Sequence, residues 1–262
     1  MPDLSQWTLR FLEYEPVDEA LDDRLRRIAN DSDKIPADAM QLDREAGILT
    51  IDCRKIPAWQ GAARERLRCV RVGQSFVIKP PWRADEVAPH ERLIEIDPAG
   101  AFGSALHETT QLCLQAIERH LTPGLQVLEV GTGSGVLSIA AARCGAVSVR
   151  AVDIDPTAVS AATANVRRNN VADKVQVAQS EGPPWLDGQV DAVIANITYE
   201  VLTRLGSAVA GVLRPGGMLI ASGVSACFWE DFLQNIFAVG FEAKDRLCSG
   251  PWSALVARRR TS

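Results

Sequence analysis

The stretch "VLEVGTGSGVLSIAA", residues 127–141, decides the reading of the fold. An apolar run ends in Gly131, Gly133 and Gly135 at alternate positions, and an apolar helical pattern follows from Val136. A strand entering a helix through such a turn brings backbone N–H groups close to a small molecule, because glycine has no Cβ to block the approach.

Downstream, strand-like and helical patterns alternate. "LQVLEV", "VSVRAVDI", "KVQVAQ", "VDAVIAN", "GMLIASGV" and two runs near "FEAKDRL" and "SALVARR" predict seven strands. Residues 134–144, 156–170, 199–212 and 225–239 predict the helices between them, with Pro156 suited to a helix start and "RPGG" at 214–217 to a turn. Continuous apolar strands alternating with helices imply a mostly parallel sheet covered on both faces. Only "CSGP" separates the last two strands, too little for a crossover, so they should pair antiparallel. Upstream, 106–121 predicts a helix with Thr109, Cys113, Ala116, Ile117 and His120 along one side. "PPWRADEVAPHE" suggests a linker, assigned to 80–92, and residues 1–79 suggest a small α+β domain with a helix over 18–30. The catalytic domain is then 93–262.

Three ligand classes compete for the glycine turn. A nucleoside-triphosphate loop needs Gly-Lys-Ser/Thr, and Gly135 is followed by Val-Leu-Ser. A nicotinamide dinucleotide fingerprint needs a third glycine where Val136 stands. Glu129, two residues before Gly131, would also repel a pyrophosphate that the helix N-terminus should welcome. The same carboxylate suits S-adenosylmethionine, which carries a sulfonium and an ammonium and no phosphate. Asp153 ends the next strand, 22 residues after Gly131, where a carboxylate accepts hydrogen bonds from ribose hydroxyls. Without a ligand, the turn serves only to pack a helix close to the sheet.

The flanking blocks extend this pocket. In "DPAGAFGSALHETT" (97–110), Phe102 is positioned to pack over the cofactor, and Thr109 and Thr110 to offer hydroxyls to its methionine end. Read without a ligand, the two threonines are first-turn helix residues and His107 is a surface histidine. Asn196 closes the fourth strand, where its carbonyl can accept from an incoming amine; the alternative is a helix cap. Asn196-x-x-Tyr199 partly matches the Asn/Asp-Pro-Pro-Tyr loop of methyltransferases acting on planar amino groups, though both prolines are missing.

Bulk properties narrow the class. The 262 residues carry a net charge of −5, and no apolar run approaches the ~20 residues of a membrane span. "MPDLSQW" lacks the basic-then-apolar pattern of a secretory leader, so none is expected. The widely spaced Cys53, Cys69, Cys113, Cys144, Cys227 and Cys248 form no Cys-x-x-Cys, which predicts free thiols in a reducing cytoplasm and no metal site. Residues 1–52 hold 13 acids and 6 bases, unsuited to gripping nucleic acid and compatible with either a basic protein partner or a solvated helical face.

With these residues in place, the sequence resembles the ribosomal protein L11 methyltransferase family, bacterial enzymes that methylate lysine side chains and the N-terminal amine of one ribosomal protein. The resemblance runs from "SFVIKPPW" (75–82) to "WSALVARR" (252–259). Its specific part is Asp97, Pro98, Ala101, Phe102, Gly103, His107, Thr109 and Thr110, followed by the glycine turn, "AVDIDP", Asn196-Ile197 and "LRPGGMLIASG". Ser104-Ala105 departs from the family's Thr-Gly, and Tyr199 is bulkier than usual there. The resemblance implies a Rossmann-like class I methyltransferase fold and an S-adenosylmethionine-dependent enzyme. It also implies a basic protein substrate, expected to be a ribosomal protein, with another protein's lysines or a nucleic-acid or small-molecule amino group as alternatives. Expected cofactor contacts are Phe102, Thr109, Thr110, Glu129, Gly131, Gly133, Gly135, Asp153 and Asn196, with Asn196 also orienting the acceptor.

Overall fold

The structure, a computed structural model, describes residues 7–10, 40–43, 48–51, 68–97, 107–182 and 189–261. Two compact units divide between Arg68 and Cys69. In the first, β1 (Trp7–Arg10), β2 (Met40–Asp43) and β3 (Ile48–Ile51) form an antiparallel sheet in the order β1-β3-β2. The helix expected over 18–30 lies outside the described residues.

The second unit opens with a small sheet of β4 (Val70–Val72), β5 (Phe76–Lys79) and β6 (Arg92–Glu95). A domain boundary at 79/80 and a linker over 80–92 were the expectation, whereas this sheet belongs with the larger unit. The physical reason is burial: Val72, Phe76, Ile78 and Ile94 share one apolar cluster with Leu112, Cys113 and Ile117. The connection from β5 to β6 is also tied down. Lys79 Nζ donates to the Arg83 carbonyl at 2.7 Å and pairs with Glu95 at 3.0 Å, and Arg71 pairs with Glu91 at 2.7 Å.

Next come α1 (Glu108–His120), β7 (Gln126–Val130), α2 (Val136–Arg143), β8 (Ser148–Asp153), α3 (Pro156–Arg168) and β9 (Val175–Gln179). The chain continues through β10 (Val190–Asn196), α4 (Tyr199–Val212), β11 (Leu213–Ser225), α5 (Trp229–Ala238), β12 (Phe241–Ser249) and β13 (Trp252–Arg259). Seven strands form one sheet in the order β12-β13-β11-β10-β7-β8-β9. Only β13 runs against its neighbours, giving the mostly parallel sheet that the sequence predicts. Among the described residues, no helix is long and apolar enough to cross a membrane.

Alternation along the strands builds a core on each face. Ala192 and Ile194 point into the cluster under α1 and α2, while Val193 and Ala195 point into the cluster under α4 and α5. Helix starts follow local chemistry: Pro156 opens α3, and the Asp155 carboxylate caps it by accepting from Thr157 N at 2.8 Å. The "RPGG" turn is absorbed into the strand itself. Leu213 already pairs with Val190, and residues 214–217 bulge before Met218 pairs with Ala192, with Gly216 at φ 74°.

Candidate functional site

The sheet changes direction at its centre. From β7 the chain steps outward through β8 and β9, then returns to place β10 and β11 on the other side of β7. Loops leaving the carboxyl ends of β7 and β10 therefore part, and ligand sites form at such switch points. A cleft of about 520 Å³ opens there, within the range of small-molecule sites.

The glycine turn forms one wall. Gly131 and Gly133 have φ of 76° and 54° and line the cleft, and a Cβ on Gly131 would collide with Ile197 Cγ2. Gly135 departs from its expected cofactor role. It lies outside the cleft at φ 83°, where a Cβ would sit 3.2 Å from Ala162 Cα, so its small size serves the packing of α2 against α3.

The Glu129 carboxylate lies under this turn, 1% exposed at the cleft floor. Thr132 Oγ1 donates to its Oε2 at 2.7 Å, and Ser138 Oγ donates to the same oxygen. Burial pushes its pKa up to about 7, partly offset by the Ser138 and Thr132 donors. The carboxylate expected to meet a cationic ligand therefore also organises the turn. Burial also raises the neighbouring Cys113 thiol, and the Glu129 charge adds to that rise.

Asp153 ends β8 facing the cleft, as its position after an apolar strand requires. Its Oδ2 accepts from Gly133 N at 2.8 Å and its Oδ1 from Asp155 N at 3.1 Å, which fixes the carboxylate plane against the turn. Ile154, next in the chain, is 62% exposed and lines the same cleft. Sequence reading missed it, although an aliphatic side chain left bare just after a strand end is itself a signal. The reading also missed Ser180–Gly182, which follow β9 and line the cleft for the same topological reason as Asp153.

The opposite wall comes from the second half of the sheet. Asn196 Nδ2 donates to Thr110 Oγ1 at 3.3 Å, and the cap position of α4 is occupied by Thr198, so Asn196 does not act as a helix cap. Thr109 Oγ1 pairs with His107 Nδ1 at 2.8 Å, and the His107 ring meets Trp252 edge-on at 5.2 Å. His107 thus caps α1 from within the cleft lining, away from the open surface where the sequence left it. Trp252 arrives on the antiparallel strand β13, and no local pattern announced it. Ile197 is gripped from two sides: its N–H donates to Ser222 O at 3.2 Å, and a Cβ on Gly223, at φ 92°, would collide with the Ile197 carbonyl. Phe102 lies outside the described residues.

Tyr199 turns away from the cleft. Its ring stacks on Phe228 at 4.9 Å with an interplanar angle of 5°, and its hydroxyl accepts from Asn235 Nδ2 at 3.4 Å. The acids Glu129, Asp153 and Glu181 line the cleft with Arg204 as the one Lys or Arg among the described lining residues. That balance suits a donor carrying positive charge better than a diphosphate.

The family model "Ribosomal protein L11 methyltransferase (PrmA)" matches residues 24–260, extending well upstream of the resemblance seen from residue 75. A protein of Pelotomaculum thermopropionicum named ribosomal protein L11 methyltransferase is 40% identical over 238 residues, covering 86% of this chain and 77% of that one. Among solved structures, a ribosomal protein L11 methylase from Lactobacillus delbrueckii subsp. bulgaricus superposes with a TM-score of 0.69 at 32% identity, covering 74% of this chain and 99% of that chain. A T. thermophilus 16S rRNA methyltransferase in complex with AdoMet and guanosine superposes with a TM-score of 0.52 at 25% identity, covering 62% of this chain and 46% of that chain.

Proposed function

The chain belongs to the ribosomal protein L11 methyltransferase family, and from that premise we propose that it methylates amines of a ribosomal protein. Its fold is the Rossmann-like class I methyltransferase fold. The acceptors are lysine side chains, an N-terminal amine, or both, and the enzyme works in the cytoplasm. One observation carries the reading: the Asp153–Gly133 and Asn196–Thr110 hydrogen bonds fix two polar groups on facing walls of one acid-lined cleft.

When bound, S-adenosylmethionine supplies an electrophilic methyl group on a sulfonium. Asp153 retains lone pairs for ribose hydroxyls, the exposed Ile154 offers an apolar surface to the base, and Glu129 complements positive charge. Gly131 and Gly133 let the backbone approach. Asn196 donates through Nδ2 to Thr110, which leaves its Oδ1 to accept from the substrate amine and aim the nitrogen lone pair. So aimed, the nitrogen would take the methyl in line, with S-adenosylhomocysteine leaving as the C–S bond breaks. A lysine amine has a pKa near ~10.4 and must first lose its proton. Thr132 and Ser138 both donate to Glu129 Oε2, so Glu129 steadies the turn, and we assign the departing proton to water. The cleft contributes mainly orientation. We assign recognition of the protein substrate to the unit before residue 69.

Tyr199 bears on the alternative. A planar amino acceptor would call for this ring beside Asn196, yet it stacks on Phe228 instead. Incubation with labelled S-adenosylmethionine and purified ribosomal proteins, ribosomal RNA or whole extract tests the proposal. Label in amines of a ribosomal protein supports it, and label confined to RNA overturns the acceptor. Binding of the donor with no label anywhere would make the chain a non-enzymatic binding module.

A further inference from the structure

Two buried asparagines, Asn165 in α3 and Asn169 as its C-cap, hold three parts of the chain together. Asn165 and Asn169 lie one turn apart and are 0% and 3% exposed. Asn169 Oδ1 accepts from Glu95 N at 2.9 Å while its Nδ2 donates to Glu95 O at 2.8 Å. Asn165 repeats the pattern two residues on, accepting from Asp97 N at 3.0 Å and donating to Asp97 O at 2.9 Å. Each side-chain amide thus pairs with a backbone residue as a neighbouring strand would, fixing the end of β6 and the chain just beyond it.

The two differ in their last hydrogen bond. Asn169 Nδ2 also donates to Asn165 O at 2.8 Å, within its own helix. Asn165 Nδ2 donates instead to Ser134 O at 2.9 Å, a carbonyl of the glycine turn. One helical turn earlier, Ala162 packs against Gly135, so α3 touches two successive residues of that turn. Gly133, the residue before them, carries the N–H bound by Asp153.

We propose that Asn165 is a positioning residue for methyl-donor binding, locking the glycine turn in register with the end of β6 and Asp97 beyond it. The inference rests on the reading of the cleft as an S-adenosylmethionine site. A carbonyl at position 134 left without its donor lets the turn relax, and the N–H of Gly133 shifts with it. Asn169 anchors the same segment without touching the turn, so it should affect folding and not the donor.

The matched variants Asn165→Asp and Asn169→Asp test this. Each keeps an acceptor and loses two donated hydrogen bonds to backbone carbonyls, one buried and one part-buried, so the cost to folding should be alike. Titration calorimetry with S-adenosylmethionine should show binding about tenfold weaker for Asn165→Asp than for Asn169→Asp, the equivalent of one buried hydrogen bond. In steady-state assays with saturating acceptor, the KM for the donor should rise for Asn165→Asp while kcat stays near wild type. The pair Asn165→Ala and Asn169→Ala repeats the comparison without a buried carboxylate, should either aspartate variant fail to fold. Equal donor affinities for the two members of a folded pair would overturn the inference. Wild-type protein that binds no S-adenosylmethionine would overturn instead the reading of the cleft on which it rests.

Discussion

Replacing Glu129 with glutamine tests whether the acid under the turn senses the donor's charge. The carboxylate is fully buried, and burial raises its pKa from 4.5 to about 7. A shift of that size corresponds to about 3 kcal/mol favouring the neutral form, at ~1.4 kcal/mol per unit. Because the folded-state value is the higher one, this stabilisation is complete below about pH 4.5 and is lost as the pH rises through about 7. A cationic donor acts in the opposite direction, since it favours the ionised carboxylate. Donor affinity should therefore climb between pH 5.5 and 7, by at most ~15-fold for one coupled proton and on the order of fivefold if coupling is incomplete. In Glu129→Gln the side chain keeps its shape and cannot ionise, so affinity should be flat over this range and close to the acid-side wild-type value. Its thermal stability should lose the decline with pH that Glu129 causes in the wild type. Calorimetric titrations at three pH values for both proteins supply the data. A flat wild-type profile, or a variant that keeps the full pH rise, would refute the electrostatic argument.

The other walls of the cleft give separable outcomes. Asp153→Ala should weaken donor binding at least about tenfold by removing the ribose acceptor and freeing Gly133 N, with the melting transition nearly unchanged; unaltered affinity by calorimetry would take Asp153 out of the site. Asn196→Ala should lower kcat by about tenfold to a hundredfold while donor affinity moves less than about threefold, and equal losses in both would argue against an acceptor-orienting role. Gly223→Ala places a Cβ at φ 92° against the Ile197 carbonyl, and should destabilise the fold by about 2–4 kcal/mol, measurable by urea denaturation. A melting curve matching wild type would mean that the 197–198 segment is not gripped as described.

Periodic apolar patterning made the sheet legible in the sequence, because strands such as β10 are buried on both faces and Pro156 marks the start of α3. Asp153 and Asn196 were legible for a related reason: a parallel strand presents its last residue to the switch point. Trp252 was not, since its strand enters from the opposite direction and meets His107 only through pairing with β11. The role of Tyr199 stayed open in the sequence, because its spacing from Asn196 matched a ligand-facing ring only in part; the first turn of α4 carries it onto Phe228. Gly135 looked like its two neighbours in sequence, and only the approach of Ala162 separates packing from binding. The domain boundary shifted because prolines and charges over 80–91 resemble a linker, while the apolar side chains of β4 to β6 are committed to the larger core.

The reversal of strand order between β7 and β10 divides the labour of the cleft along the chain. Residues 130–182 supply one wall of the cleft, and residues after 190 supply most of the other. Under the proposed function, an engineer seeking a different nucleophile would rewrite the second stretch and keep Ile197, which packs against Gly131 of the first.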